Sequence, residues 1–184
     1  MRGFTLFLRE AITHPSTVGA LFPSSKRLAN TLAKQIPPHS KGLIIELGAG
    51  TGAITDSLLH QKSPQQELIV IEQSAKLAEH LIQRFPNVKV IQGDAGHLNQ
   101  LLDSVSAPIQ AIVSSLPLRT LSPYIIKKIG REINQVLQEG GLFIQYTYSL
   151  WGDPLAPSPH LKLIHRQWVW RNLPPARIDV FYRK

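Results

Sequence analysis

The stretch Leu43-Ile44-Ile45-Glu46-Leu47-Gly48-Ala49-Gly50-Thr51-Gly52-Ala53-Ile54 decides the architecture. It opens as an apolar run with two β-branched residues, the pattern of a buried strand. Glycines then recur at 48, 50 and 52. From Ala53 to Leu59 the apolar residues fall at helical spacing. The reading is strand, glycine turn, helix. Glycine lets the backbone turn tightly and lets a ligand approach with no Cβ in the way. The helix N-terminus behind the turn offers unpaired N–H groups to an anion. Such a turn opens many α/β nucleotide sites, so its neighbours must name the ligand.

Working outward, the same alternation repeats. Glu67–Glu72, Val88–Gln92, Ile109–Val113 and Leu142–Tyr148 read as strands. Helices are expected at 53–60, 74–85, 98–105 and 122–137, with Ser122-Pro123 as N-cap and first helical residue. Glu139-Gly140-Gly141 reads as the turn into the fifth strand. Leu161–Trp170 and Arg177–Tyr182 read as two further strands, joined at Asn172-Leu173-Pro174-Pro175-Ala176. Strands alternating with helices imply a mostly parallel α/β sheet covered on both faces, seven-stranded and Rossmann-like. Ligands of such sheets lie beyond the carboxyl ends of the strands. Glu46, Glu72, Gly93-Asp94-Ala95 and Ser114-Ser115-Leu116-Pro117 therefore converge on one crevice.

Before the central stretch, Phe4, Phe7, Leu8, Ala11 and Ile12 share one face of a helix that ends at His14-Pro15. A second helix runs from the N-cap candidates Ser24 or Ser25 to about Gln35. Residues 1–40 thus form an N-terminal helical segment, a lid or membrane-interface element, ahead of a domain at 41–184 within one overall unit. Hydrophobic residues make up 43% and charged residues 17%, values of a globular chain, not a disordered one. With no Cys there are no disulfides or thiolate metal sites, and the seven His show no metal-ligand spacing; no metal is expected. No apolar run reaches the roughly 20 residues of a membrane span, and no signal peptide is evident. Charge is uneven: +5 over residues 1–41, −3 over 42–118 and +6 over 119–184. Basic ends suggest an anionic partner such as nucleic acid, anionic lipid or a phosphorylated substrate.

Gly48-Ala49-Gly50-Thr51-Gly52-Ala53 satisfies the loose dinucleotide fingerprint, with Glu72 about 20 residues on. No second glycine turn follows to hold a second nucleotide half. The full set of Glu46, the three glycines, Glu72 and Gly93-Asp94-Ala95 instead resembles the class I S-adenosylmethionine-dependent methyltransferases, over residues 40–150. The chemistry agrees. The turn suits the carboxylate of the cofactor's methionine part, Glu72 suits a ribose diol, Asp94 suits the adenine amine, and Glu46 suits a nearby sulfonium. Ala49, Gln73, Ala95 and Ser114 complete the expected cofactor contacts, with Ser24 and Ser25 closing over them.

The acceptor is read from the rest of the chain. Adenine N6-methyltransferases resemble Asn-Leu-Pro-Tyr or Asp-Pro-Pro-Tyr after strand four; here Ser and Leu occupy the two diagnostic positions, which argues against a base. Val18-Gly19-Ala20-Leu21-Phe22-Pro23-Ser24-Ser25, Ser115-Leu116-Pro117-Leu118, Phe143-Ile144-Gln145-Tyr146-Thr147-Tyr148 and Asn172-Leu173-Pro174-Pro175-Ala176 together look like the soluble bacterial phospholipid N-methyltransferases. The similarity runs over residues 4–182, although members often carry Gly where Ser115 stands. The resemblance implies S-adenosylmethionine-dependent N-methylation of phosphatidylethanolamine toward phosphatidylcholine, with S-adenosylhomocysteine as product. It also implies a cytoplasmic enzyme held peripherally on an anionic membrane by its N-terminal helix and basic patches, with no nucleic-acid partner.

In that reading Tyr146 and Tyr148 serve catalysis by contacting the headgroup amine, and Arg119 or Arg177 holds the lipid phosphate. An RNA adenine or small-molecule amine methyltransferase is the alternative within enzymes. A non-catalytic cofactor-binding membrane adaptor is the alternative outside them.

Overall fold

A computed structural model describes residues 25–38 and 41–184. The N-terminal amphipathic helix expected at 2–13, and Ser24, lie outside the described residues. The first element is α1 (Ser25–Ala33). β1 (Gly42–Leu47), α2 (Ala53–Gln61), β2 (Gln66–Glu72), α3 (Ala75–Arg84) and β3 (Lys89–Gln92) follow. A 3₁₀ turn (Ala95–His97) runs into the short α4 (Leu98–Leu101), and β4 (Ile109–Ser114) comes next. A second 3₁₀ turn (Leu118–Thr120), α5 (Pro123–Val136), β5 (Leu137–Thr147), β6 (Leu161–Val169) and β7 (Ala176–Arg183) complete the chain.

The seven strands form one sheet in the order β3-β2-β1-β4-β5-β7-β6. β1 pairs in parallel with β2 and β4, β2 with β3, and β4 with β5. β7 is antiparallel to both β5 and β6. The chain walks outward from β1 to β3, then returns to lay β4 on the other side of β1. The turn after β1 therefore sits at the topological switch point, where open α/β sheets place their ligands.

Strand alternation sorts the core into two layers. Ile44, Leu68, Val70, Val113, Ile144, Ile178 and Val180 pack under α1, α2 and α3. Leu43, Ile45, Leu47, Ile69, Ile112, Phe143 and Phe181 pack under α4 and α5. Glu46 shares the α2 face with Ile44 and is a carboxyl in an otherwise apolar layer. Truncating one of these fully buried residues to Ala costs about 2–5 kcal/mol.

Two sequence expectations are corrected. Glu139-Gly140-Gly141 is not a turn before the fifth strand but lies inside β5. Register slips there, since Ile109 faces Leu137 while Ala111 faces Leu142. Gly140, at φ 80°, allows this irregularity, which places extra residues of one strand opposite its neighbour. The helix expected over 98–105 starts at Leu98 but ends at Leu101, and a 3₁₀ turn precedes it, capped by Asp94, whose side chain accepts from the Gly96 N–H. The expected Ser122 cap forms, accepting from the Ile125 N–H ahead of Pro123.

Candidate active site

Three backbone hydrogen bonds carry the sheet register into the loops. Gly48 N–H donates to Ile71 O at 2.8 Å, Gly93 N–H to Glu72 O at 3.0 Å, and Ser115 N–H to Leu47 O at 2.9 Å. The loops after β1, β3 and β4 thus leave the sheet at one level and frame a common crevice.

The three turn glycines all have positive φ, but their surroundings differ. A Cβ on Gly48 would sit 2.9 Å from Leu116 Cδ2, and one on Gly52 only 2.5 Å from Phe85 Cε2. Those two are packed by protein. Among the described residues, a Cβ on Gly50 would meet nothing within 4 Å. Gly50 therefore presents bare backbone to open space, as a ligand cradle requires. The N-cap of α2, Gly52, provides no side-chain cap.

Glu72 organises the turn. One of its oxygens accepts from Gly50 N–H and the other from Ser74 N–H, both at 2.9 Å. Its carboxylate is thereby oriented at the end of β2 while keeping lone pairs for a diol. Glu46 is fully buried beneath it. Thr55, in the first turn of α2, donates to Glu46 Oε2 at 2.7 Å, while Oε1 is buried with no hydrogen-bond partner among the described residues. Burial pushes the Glu46 carboxyl up from 4.5 to about 7; the nearby Glu72 adds to this and the Thr55 hydrogen bond opposes it. An acid so destabilised in its charged form stands to gain from a cation brought beside it.

The far side of the crevice is aromatic. Tyr146 and Tyr148 share the Glu46 side of the sheet, with ring centroids 5.7 Å apart and near-perpendicular rings. Burial, then Tyr148 and Glu46, push the Tyr146 phenol up. Burial also raises Tyr148, partly offset by a hydrogen bond with Asn172. Both stay neutral, offering O–H groups and π faces. Tyr148 lies one residue beyond β5.

The remaining expected residues divide. Ala49, Ala95 and Ser114 are buried at the crevice, and Ser114 Oγ accepts from the Leu116 N–H. Gln73 is exposed beside Glu72. Asp94 caps its turn with one oxygen, and its other oxygen lies 4.0 Å from His97 Nδ1. Ser25 opens α1. Arg119 is exposed and donates to the Asp153 carbonyl. Arg177 departs from the sequence expectation of a phosphate ligand. It is fully buried, held by Asp179 through Nε at 3.1 Å and Nη2 at 2.8 Å, and its Nη1 donates to the carbonyls of Leu150 and Gly152. Burial of a guanidinium demands this pairing.

Sequence reasoning missed Thr55, and it quoted Gln145 and Asn172 within motifs without assigning either a contact. Gln145 is buried and donates to the carbonyls of Leu116 and Tyr146, tying β5 to the loop after β4. A Gln inside an apolar strand is the signal that marks it. Thr55 carries no such mark, because only the fold brings it against Glu46.

The methyltransferase domain family matches residues 44–141. The ornithine lipid N-methyltransferase of Singulisphaera acidiphila is 32% identical over 180 residues, covering 96% of this chain and 94% of that protein. The chain belongs to the class I S-adenosylmethionine-dependent methyltransferases. The N-methyltransferase NodS from Bradyrhizobium japonicum WM9, in complex with S-adenosyl-L-homocysteine, shares the fold of this methyltransferase. Its TM-score is 0.68 at 15% identity over 88% of each chain. Ribosomal RNA small subunit methyltransferase A of a Hydrogenobaculum species is 29% identical over 116 residues, 63% of this methyltransferase and 44% of that protein. The site suits the cofactor: open backbone at Gly50, an oriented carboxylate at Glu72, and an unpartnered carboxyl oxygen at Glu46 fit a zwitterionic, sulfonium-bearing ligand.

Proposed function

We propose that this methyltransferase N-methylates the primary amine of a membrane lipid headgroup. The observation that carries the reading is the end-to-end similarity to a lipid N-methyltransferase, spanning 96% of this chain. The crevice chemistry supports it. When bound, S-adenosylmethionine supplies a methyl group activated by its sulfonium. Glu46, the glycine turn from Gly48 to Gly52 with Ala49, Glu72, Gln73, Asp94-Ala95 and Ser114 would hold that cofactor, and Ser24 and Ser25 are candidates for contacting it. Tyr146 and Tyr148 receive the headgroup ammonium on their π faces, each such contact worth about 1 kcal/mol. An ammonium with a reference pKa of about 10.4 must lose a proton before it can attack; withdrawal from water lowers that value, and the proton leaves to solvent as the amine enters the crevice. The neutral tyrosines then hold the amine in line by hydrogen bonding, where placement and exclusion of water matter more than strong acid–base chemistry.

Two headgroups share this amine. Phosphatidylethanolamine is the one the sequence motifs favour, with Arg119 as the accessible phosphate ligand. An ornithine lipid is the second, favoured by the enclosed Arg177, whose donors are occupied by the protein itself. The test is incubation with labelled S-adenosylmethionine and anionic vesicles carrying either lipid, followed by lipid extraction. Labelled methylated lipid in one arm identifies the headgroup. Label in neither arm, or label transferred instead to RNA, overturns the proposal.

A further inference from the structure

The chain has three tryptophans, and all three gather at one place on the surface. Trp151 lies in the loop after β5, Trp168 near the end of β6, and Trp170 in the β6–β7 turn. Their exposures are 76%, 37% and 58%, and Leu173 in the same turn is 69% exposed. Tryptophan is usually well buried, so three exposed ones in a cluster require an explanation.

The backbone that carries these side chains is held in place. Arg177 Nη1 grips the carbonyls of Leu150 and Gly152 on either side of Trp151, and Ser149 Oγ donates to the Trp151 carbonyl at 3.2 Å. Trp168 Nε1 donates to Leu150 O at 3.4 Å, which brings the strand tryptophan beside the loop. In the turn, Asn172 is buried and its Nδ2 donates to Pro174 O at 2.7 Å. Turning Asn172 inward leaves its neighbours Arg171 and Leu173 facing solvent. The loop is anchored further along, where the Pro157 carbonyl packs against Gly130 of α5 so closely that a Cβ there would clash.

The position matters as much as the exposure. β7 runs antiparallel to β5, so the β6–β7 turn returns to the carboxyl edge of the parallel strands. Asn172 hydrogen-bonds Tyr148 there, which ties the β6–β7 turn to the crevice at the edge of the sheet. Exposed Arg171 and Arg119 flank it, with Asp153 the nearby exposed acid, while Arg166 is paired with Asp179.

We propose that Trp151, Trp168, Trp170 and Leu173, with Arg119 and Arg171, form a membrane-docking face that seats the mouth of the crevice on an anionic bilayer. The inference rests on the lipid-methylation reading. A headgroup amine can enter the crevice with its acyl chains still in the bilayer only if the bilayer touches this rim. Tryptophan favours the interface, where its ring meets hydrocarbon and its N–H meets water, and arginine favours anionic headgroups.

The test uses the full chain, because its entire tryptophan fluorescence reports from this face. Vesicles of equal parts phosphatidylglycerol and phosphatidylcholine, which contain no amine substrate, are titrated in. A saturating blue shift, with quenching by lipids brominated in the acyl chains, is the expected result. The Trp151→Ser, Trp170→Ser double variant is expected to lose roughly tenfold or more in vesicle affinity, with cofactor affinity unchanged. Three results would overturn the docking face. One is vesicle binding by sedimentation without a spectral shift, which places contact elsewhere. Another is no vesicle binding at all. The third is a blue shift that grows with protein concentration without lipid, which means that a second copy covers the face. Methylation of detergent-dispersed amine lipid separates the two readings. Turnover without the shift removes only the docking face; the shift without turnover on either lipid removes only the proposed reaction.

Discussion

Replacing Glu46 by Gln makes stability less dependent on pH, and the size of that change follows from burial. The carboxyl titrates at about 7 in the folded protein, against 4.5 for the ordinary group. The native state therefore holds the proton more tightly than the unfolded chain between those values. Stability falls as pH rises through this window and levels off above pH 7. At about 1.4 kcal/mol per unit, ionisation costs the wild type about 1 kcal/mol at pH 5 and about 3 kcal/mol at pH 8. Glutamine keeps an acceptor for Thr55 and cannot ionise, but its amide N–H₂ takes the position of the unpartnered Oε1, at a pH-independent cost of about 1–3 kcal/mol. The decisive quantity is thus the slope. Urea unfolding at pH 5, 6, 7 and 8 should show the variant gaining about 2 kcal/mol on the wild type across the series. A flat difference, or a wild type that gains on the variant as pH rises, would refute a buried, proton-binding Glu46. Ligand binding supplies a second readout. The wild type's affinity for cationic S-adenosylmethionine should rise up to about pH 7, whereas Glu46→Gln should lose both affinity and that rise. S-adenosylhomocysteine, which lacks the sulfonium charge, should show the weaker dependence.

Glu72→Ala strands the N–H groups of Gly50 and Ser74 and should cost about 2 kcal/mol in chemical unfolding. Titration calorimetry should also show cofactor affinity at least tenfold weaker, of order one charge-assisted hydrogen bond. Gly50→Ala and Gly52→Ala both force a left-handed backbone, worth about 1–2 kcal/mol. Gly52→Ala also collides with Phe85, so thermal unfolding should show the larger loss there, while the larger loss of cofactor affinity per unit of stability belongs to Gly50→Ala. Arg177→Met removes the main partner of buried Asp179 and should destabilise by about 3 kcal/mol, whereas exposed Arg119→Ala should stay within about 0.5 kcal/mol. Equal losses from the two arginine variants would contradict the buried role of Arg177.

The positions of the candidate site residues were legible because these residues are tied to strand ends. A parallel sheet brings the carboxyl ends of its strands together whatever the side chains are, so Glu46, Gly50, Glu72 and Asp94 could be placed in one crevice from spacing alone. Periodicity also located all seven strands. It failed at Glu139-Gly140-Gly141, since glycines that end a strand and glycines that let one slip register look alike in one dimension. It failed again at Arg177, because a cation reads as surface until a buried partner such as Asp179 is seen across from it.

The sequence by itself determined the sheet and the acids facing the crevice, since these follow from local patterns of apolar, glycine and acidic residues, and its resemblance to a known family implied the cofactor class. Only the tertiary structure decided the state of those groups. Contact between α2 and β1 encloses Glu46 and gives it Thr55, which sets its proton affinity. The return of β6 and β7 to the active-site edge brings Asn172 to Tyr148 and assembles three tryptophans that are distant in the chain from the glycine turn. Desolvation and juxtaposition depend on which surfaces meet, and that information resides in packing across the whole chain.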